Sequence, residues 1–432
     1  MLLLQLLGFL TFSFISCQNQ TCTKDNCLLP SCQCPTNNGN PTSFDVIDLP
    51  QFVLLTFVGN LNTNILDSIR SIFHSSHQNP NKCPISSTFF IHDIHTEYCL
   101  VQRLFDNHHE IAMTTLSNKC PLTNCYNENY WRRWTSKDWQ HEIKDQRINI
   151  VNKAQIHSSH IKGFRVPHLQ IDQNQHFEYL QKFHFHYDSS MLFKSNNFIW
   201  PFTLDYPFDH KKCVNCHEWT KPFEALWQFP LHEWTYPKAN TSCRTLSDPS
   251  CLPTDQPHTA DIYYNFLIYN FERHSSLAIG RRSPFVIQLD LSWLAQNKKI
   301  RLQALVRFIE HLLTSPDHRY VYFVSMEKAL EWLKYPRPLN ELKDFWPFTC
   351  SDKTYEYDAD CSNIDTDSTE EEKQNMNAQH LKSNNGTNTT GTEYIDRQAE
   401  KLFRSSIAFH ALWISIVLIL CVLIYDKYFA TK

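Results

Sequence analysis

Histidines and closely spaced cysteines are the residues of this 432-residue chain whose types and spacing first suggest chemistry. Histidine recurs in "IHDIH" (91–95), "HH" (108–109), "FHFHYD" (183–188) and "HKKCVNCHEW" (210–219). In the last, Cys213 and Cys216 with His210 and His217 have zinc-site spacing, and a disulfide loop is the competing expectation. Cys22, Cys27, Cys32 and Cys34 pose the same choice near the N-terminus. His184 and His186 alternate as on a half-exposed strand, and His108 and His109 precede a strand, where surface positions are expected. "GFRVPH" (163–168) sets Arg165 at a strand end beside Pro167. There it would orient a carboxylate at a barrel mouth or make a surface ion pair. "FVLLTFVGNLN" (52–62) reads as a strand running into a loop. Chemistry usually sits at that place in α/β enzymes, yet the loop offers only Val58 and Gly59. No phosphate loop, GxSxG elbow or HExxH helix is present in the sequence.

The elements that must position these residues alternate between strand and helix. "FVLLTF" (52–57), "STFFI" (87–91), "HEIAM" (109–113), "IKGFRVP" (161–167), "PFVIQLDL" (284–291) and "YVYFVSM" (320–326) read as strands. Helices are expected after the first, over 97–105, around 177–183, over 302–313 from its i, i+3, i+4 apolar spacing, and at "EKALEWL". The stretch from about Met191 to Pro257 is loop-rich and holds four tryptophans and four cysteines. Repeated strand–helix units imply an α/β fold with a parallel sheet, open or closed as a barrel.

A net charge of −4 gives no reason to expect nucleic-acid binding. Residues 1–17 are apolar, end in small residues and read as a signal peptide. Ile407–Tyr425 is long enough to span a bilayer. Together they predict a single-pass type I plasma-membrane protein with an extracellular ectodomain. A GPI signal is the alternative for the C-terminal run. Setting aside Cys17 and Cys421, an even set of cysteines remains, as expected for disulfides in an oxidising compartment. Asn19, Asn240, Asn385 and Asn388 are glycosylation sequons. Residues 351–396 are polar and acidic, a composition that cannot bury enough surface to fold.

The ordered blocks "LPQFVLLTF" (49–57), "STFFI" (87–91), "LVQRLFDNHHEIAM" (100–113), "GFRVPHLQIDQNQHFEYL" (163–180), "HYDSSM" (186–191), "WPFTLDYPFDHKKCVNC" (200–216), "YNFLIYNFERH" (264–274), "YVYFVSMEKALEWL" (320–333) and "DFWPFTC" (344–350) resemble animal chitin deacetylase-like proteins of the polysaccharide deacetylase (NodB-homology) family. The resemblance implies a deformed (β/α) barrel with its site at the C-terminal strand ends. With the composition and hydropathy readings above, the expected layout is a signal peptide (1–17), a Cys-rich segment (18–43), a deacetylase-like domain (44–350), a stalk (351–403), a transmembrane helix (404–426) and a tail (427–432).

The chemistry it implies is metal-assisted removal of acetyl groups from N-acetylglucosamine. An Asp and two His hold the ion, usually zinc, a second Asp acts as base and a third His as acid. In this chain those positions are replaced. Val58 and Gly59 stand for the two Asp, Thr114 and Asn118 for the metal His, and Asp290 for the acid His. Arg165 and Pro167 are retained, and His168 stands where an aromatic is usual. Trp200 and Trp227 are expected to line the cleft. Arg165, having lost its usual carboxylate, is expected to pair with another acid such as Asp290. No cofactor is expected. The expected partner is chitin or another GlcNAc-containing glycan, bound without hydrolysis. Two alternatives stand: a hydrolase with a site rebuilt from His168, Asp290, His184 and His186, and an ectodomain that binds only a protein.

Overall fold

The computed structural model describes residues 21–350, apart from 37–38, 124, 126–132, 218–220, 238–241, 249, 251, 254–256 and 277–280. The expected signal peptide, stalk, transmembrane helix and all four sequons lie outside these residues. Among the described residues no helix is long and apolar enough to cross a membrane.

The strands are β1 (Gln51–Gly59), β2 (Thr88–Ile91), β3 (Glu110–Met113), β4 (Gly163–Phe164), β5 (Tyr187–Asp188), β6 (Leu192–Phe193), β7 (Phe202–Leu204), β8 (Phe223–Gln228), β9 (Leu231–His232), β10 (Trp234–Thr235), β11 (Ser242–Cys243), β12 (Phe285–Asp290) and β13 (Val321–Phe323). The main sheet runs β12-β1-β2-β3-β4-β5-β8-β7, with β13 also paired to β1. Every pair in it is parallel except β7–β8. The helices are α1 (Thr63–Ile69), α2 (Tyr98–Asp106), α3 (Ser136–Lys153), α4 (Gln175–Lys182), α5 (Ala260–Ser275), α6 (Leu291–Gln296), α7 (Gln303–Thr314) and α8 (Met326–Lys334).

β1 is central because its residues are apolar on both faces, the composition a covered parallel strand requires. Its alternate residues divide between two cores. Val53, Leu55 and Phe57 pack with Phe89, Ile111, Met113 and the helices. Phe52 and Leu54 pack with Phe90, Ala112, Tyr187, Trp227 and Trp332. One sheet face is thus covered by helices and the other encloses a second, aromatic-rich core.

The expected barrel is not closed by strand pairing. Among the described residues no hydrogen-bonded ladder joins β7 to β12. The separate β6–β9 pair packs beside β12 instead, and side chains do the filling. His274 lies between Phe198, His232 and Phe285, with ring centroids 4.7–4.9 Å away.

Disulfides settle the cysteine choices. Cys22–Cys34 and Cys27–Cys32 knot the N-terminal segment, and Cys213–Cys216 closes the "CVNC" loop. Neither forms a thiolate zinc site. The N-terminal segment is bonded to the sheet, with Thr203 Oγ1 accepting the Gln33 N–H at 3.1 Å. Cys83–Cys350 ties together positions 267 residues apart.

α8 closes the end of the sheet at which β2 and β3 begin. Thr88 Oγ1 accepts the Met326 N–H at 2.9 Å, and Glu110 Oε2 accepts the Glu327 N–H at 2.8 Å. Tyr187 Oη donates to Glu110 Oε1 at 2.7 Å. The Tyr187 ring passes directly over Gly163, where a Cβ would lie 2.1 Å from Oη. Burial, reinforced by the Glu327 charge, pushes the Glu110 carboxyl up to about 7. The opposite end, where the parallel strands finish, is left for a site.

Candidate functional site

The strand registers align the mouth residue by residue. Gly59 on β1 is level with Ile91, Ile91 with Met113, Met113 with Phe164, and Phe164 with Asp188. The next residues along the chain, Asn60, His92, Thr114, Arg165 and Ser189, therefore ring the C-terminal ends. Val58 is level with Asp290 on β12. The five replaced positions and Arg165 are thus brought to one end of the sheet, with His168 beside them.

What these positions do is different from the chemistry the resemblance implies. Gly59 has φ +143°, and a Cβ there would lie 3.3 Å from Leu291 Cβ. Thr114 is buried and its hydroxyl lies 3.2 Å from Asn118 Oδ1, to which it donates. The same hydroxyl accepts the Thr115 N–H. Asp290 caps α6, its Oδ1 accepting the Trp293 N–H and the Ser292 hydroxyl, each at 2.7 Å. An aliphatic side chain, a glycine and a hydroxyl–carboxamide pair bonded to each other do not make a zinc site, which needs imidazole, thiolate or carboxylate donors. Among the described residues, His/Cys/Asp/Glu groups at metal-ligand spacing occur at Cys22–Cys27–Cys34 and Cys120–Cys125–His168. All the cysteines in them are oxidised.

Arg165 is 1% exposed and lies beneath the mouth. Its Nε donates to Ser189 O at 2.7 Å, one terminal nitrogen to Thr56 Oγ1 at 2.8 Å and the other to Ser189 Oγ at 2.7 Å. Its guanidinium sits 4.1 Å from the Phe90 ring centroid. Burial holds its pKa down at about 9. The expected pair with Asp290 does not form, because Arg165 faces Ser189 and Thr56 while Asp290 turns to α6. A surface ion pair is equally ruled out by burial. The acid near Arg165 is Asp188, which burial raises to about 7 and which Ser190 bonds through both N–H and hydroxyl.

Pro167 begins a short turn that carries His168 with φ +53°. His168 Nε2 lies 3.1 Å from the Asn118 carbonyl, and burial lowers its pKa. Trp200 and Trp227 are 3% and 1% exposed, packed in the aromatic core with Trp332 and Tyr187. Neither offers an open indole face to a sugar. His184 and His186 are separated from the mouth. β5 begins only at Tyr187, so both precede it at the far end of the sheet. His186 there sits among Lys162, Lys334, Glu327 and Glu331, and burial lowers it to about 4.

His92, in the "IHDIH" run, is the mouth residue that sequence reasoning passed over. It directly follows β2, between Asn60 and Thr114 in the ring. Burial lowers it to about 4, against the pull of Asp290 and Asp93. Among the described residues its buried Nδ1 has no hydrogen-bond partner. Its signal was position: a histidine one residue past a buried strand that pairs with β1.

No family model matches the chain. It is 29% identical over 333 residues to chitin deacetylase 1 of Bombyx mori, covering 76% of this chain and 59% of that protein. It is 28% identical over 327 residues to chitin deacetylase 8 of the same organism, covering 74% and 80%. The first alignment thus spans under two-thirds of that relative's length. Two solved structures also align, the family 4 carbohydrate esterase of Streptomyces lividans and the peptidoglycan N-acetylglucosamine deacetylase catalytic domain of Eubacterium rectale. They are 12% and 11% identical, cover 63% and 62% of this chain and 91% and 87% of theirs, and have TM-scores of 0.31. Those scores are too low to bear on the fold. The likeness to these curated relatives, together with the mixed α/β sheet, supports a polysaccharide deacetylase-like protein. Its relatives within that class are chitin deacetylases.

Proposed function

We propose that this chain is a membrane-anchored, catalytically silent member of the deacetylase-like class that binds a GlcNAc-containing glycan without hydrolysing it. The observation that carries this reading is the hydrogen bond between Thr114 and Asn118. The two positions that would hold the metal are brought together and bonded to each other. The base position is aliphatic or glycine, and Asp290 caps a helix instead of delivering a proton. General acid–base catalysis is typically worth about 10²–10⁴-fold, and a metal adds further stabilisation. Arg165 remains as a brace for β1, β4 and β5, giving the mouth a fixed shape.

Signal peptide, type I span and plasma-membrane location complete the proposal, supported by the apolar runs at each end of the sequence. Five disulfide bridges among the described cysteines support an oxidising compartment. Calorimetric titration of the full chain with N-acetylglucosamine oligomers of mixed acetylation, with acetate measured in the same samples, tests the reading. Binding without acetate release supports it, and acetate release above the protein-free rate contradicts it. The rebuilt-site hydrolase loses support because His184 and His186 lie at the wrong end of the sheet.

A further inference from the structure

Among the described residues, Asp290 at the mouth keeps a carboxylate oxygen without a hydrogen-bond partner. Asp290 Oδ1 is occupied by the Trp293 N–H and the Ser292 hydroxyl, which fix the direction of the carboxylate. Oδ2 accepts no hydrogen bond among the described residues, and no ion pair there reaches Asp290. The residue is half-buried and level with Val58 on β1. The registers set Asp290 beside Val58 on β1 and His92 one residue past Ile91 at the same strand ends, where His168 Nε2 lies 3.1 Å from the Asn118 carbonyl; the Asp290 charge acts on both imidazoles.

Its neighbours do not cancel that charge at neutral pH. Burial holds both imidazoles below their ordinary range, so they are neutral there. Arg165 lies beneath, and its three donating nitrogens are committed to Ser189 and Thr56. The opening therefore presents the oriented Asp290 carboxylate among two imidazoles and the Asn118 carboxamide, while the nearby Asp93 is engaged by Lys153, Tyr98 and Asn149. That surface complements a cation and opposes an anion.

We infer that the mouth recognises a glycan through an unacetylated, ammonium-bearing glucosamine unit, with Asp290 Oδ2 accepting from the ammonium. An N-acetyl group in the same place would set a neutral amide and a methyl against the carboxylate. The charge would then be desolvated without a counter-ion, which is unfavourable. An ammonium makes a charge-assisted bond there instead. The chain would thus read the product of deacetylation. This inference rests on the glycan-binding reading above.

The test is calorimetry on the full chain in detergent at pH 7, with a hexamer of glucosamine and a hexamer of N-acetylglucosamine as the two ligands. The glucosamine hexamer is expected to bind about tenfold or more tighter, the yield of one charge-assisted hydrogen bond. Asp290→Asn retains a capping oxygen for α6 and is expected to abolish that preference. Asp317→Asn, at an exposed acid preceding β13, is expected to leave it intact. Equal or reversed affinities overturn the inference while leaving the glycan reading standing. Equal loss of preference in both variants shows general charge attraction and also overturns it. If neither hexamer binds, the glycan reading falls and the inference with it.

Discussion

Gly59 and Leu291 meet so closely that a Cβ on Gly59 would lie 3.3 Å from Leu291 Cβ, and Gly59 holds φ +143° to allow it. An L-residue rarely adopts that backbone. The glycine is therefore part of how β1 now passes into its loop. Restoring a carboxylate by Gly59→Asp is expected to lower stability by about 1–3 kcal/mol and to restore no activity. Urea unfolding of the variant measures the first, and unchanged stability would show that the loop still accommodates a side chain.

Gly163→Ala tests the seam beneath the mouth. Its new Cβ would meet the Tyr187 hydroxyl and ring at 2.1–2.8 Å. Tyr187 cannot yield easily, being fully buried and bonded to Glu110. The expected loss is about 2–4 kcal/mol, at the upper end for overpacking. A denaturation midpoint equal to that of the wild type would contradict the placement of β4 against β5.

The buried histidines set the acid limit. His109, His176 and His232 are lowered by burial to about 3, and His92 and His186 to about 4. Each folded-state value lies below the unfolded 6.5, so the unfolded chain binds more protons in between. The stability they confer is full above about pH 6.5 and is lost as the pH falls toward 3–4. Glu110 and Asp188, raised to about 7, run the other way and lose their contribution as the pH rises through 7. His176 is 0% exposed and lies beside Trp139 and Phe177, with neither ring nitrogen bonded among the described residues. His176→Phe is expected to gain about 1 kcal/mol at pH 7 and more at pH 5. Thermal melts at both values check this, and parallel shifts at the two would contradict it.

Much of this architecture was legible in the sequence. "FVLLTF", "STFFI", "HEIAM" and "PFVIQLDL" fall on β1, β2, β3 and β12, because buried parallel strands read as unbroken apolar runs. Leu305, Ile309 and Leu312 face the core of α7 as their spacing requires. α3 was missed. Its many polar residues hide the buried Trp139, Ile143 and Ile150, and the capping box from Thr135 to Asp138 was its readable start. "IKGFRVP" yields only a two-residue strand because the chain turns at Pro167. Within the site, the positions picked out by resemblance lie at the strand ends that the register brings together. What Arg165 bonds to, how deep the two tryptophans lie and the role of His92 depend on contacts between distant segments, which no local pattern encodes.

Opening Cys83–Cys350 frees a loop whose ends are 267 residues apart. The double variant Cys83→Ser/Cys350→Ser is expected to lose about 2–5 kcal/mol against denaturant. Stability unaffected by the change would mean the Asn81 side chain's bond to the Phe348 carbonyl and the surrounding aromatic packing hold that end unaided.

The central claim is that the mouth has exchanged metal chemistry for recognition. It is tested most directly by equilibrating the full chain with zinc, removing the excess, and measuring bound metal and acetate release from N-acetylglucosamine hexamer on the same sample. Thr114, Asn118, Val58 and Gly59 predict no stoichiometric zinc in the mouth and no acetate above the protein-free rate. One zinc per chain with zinc-dependent acetate release would contradict it.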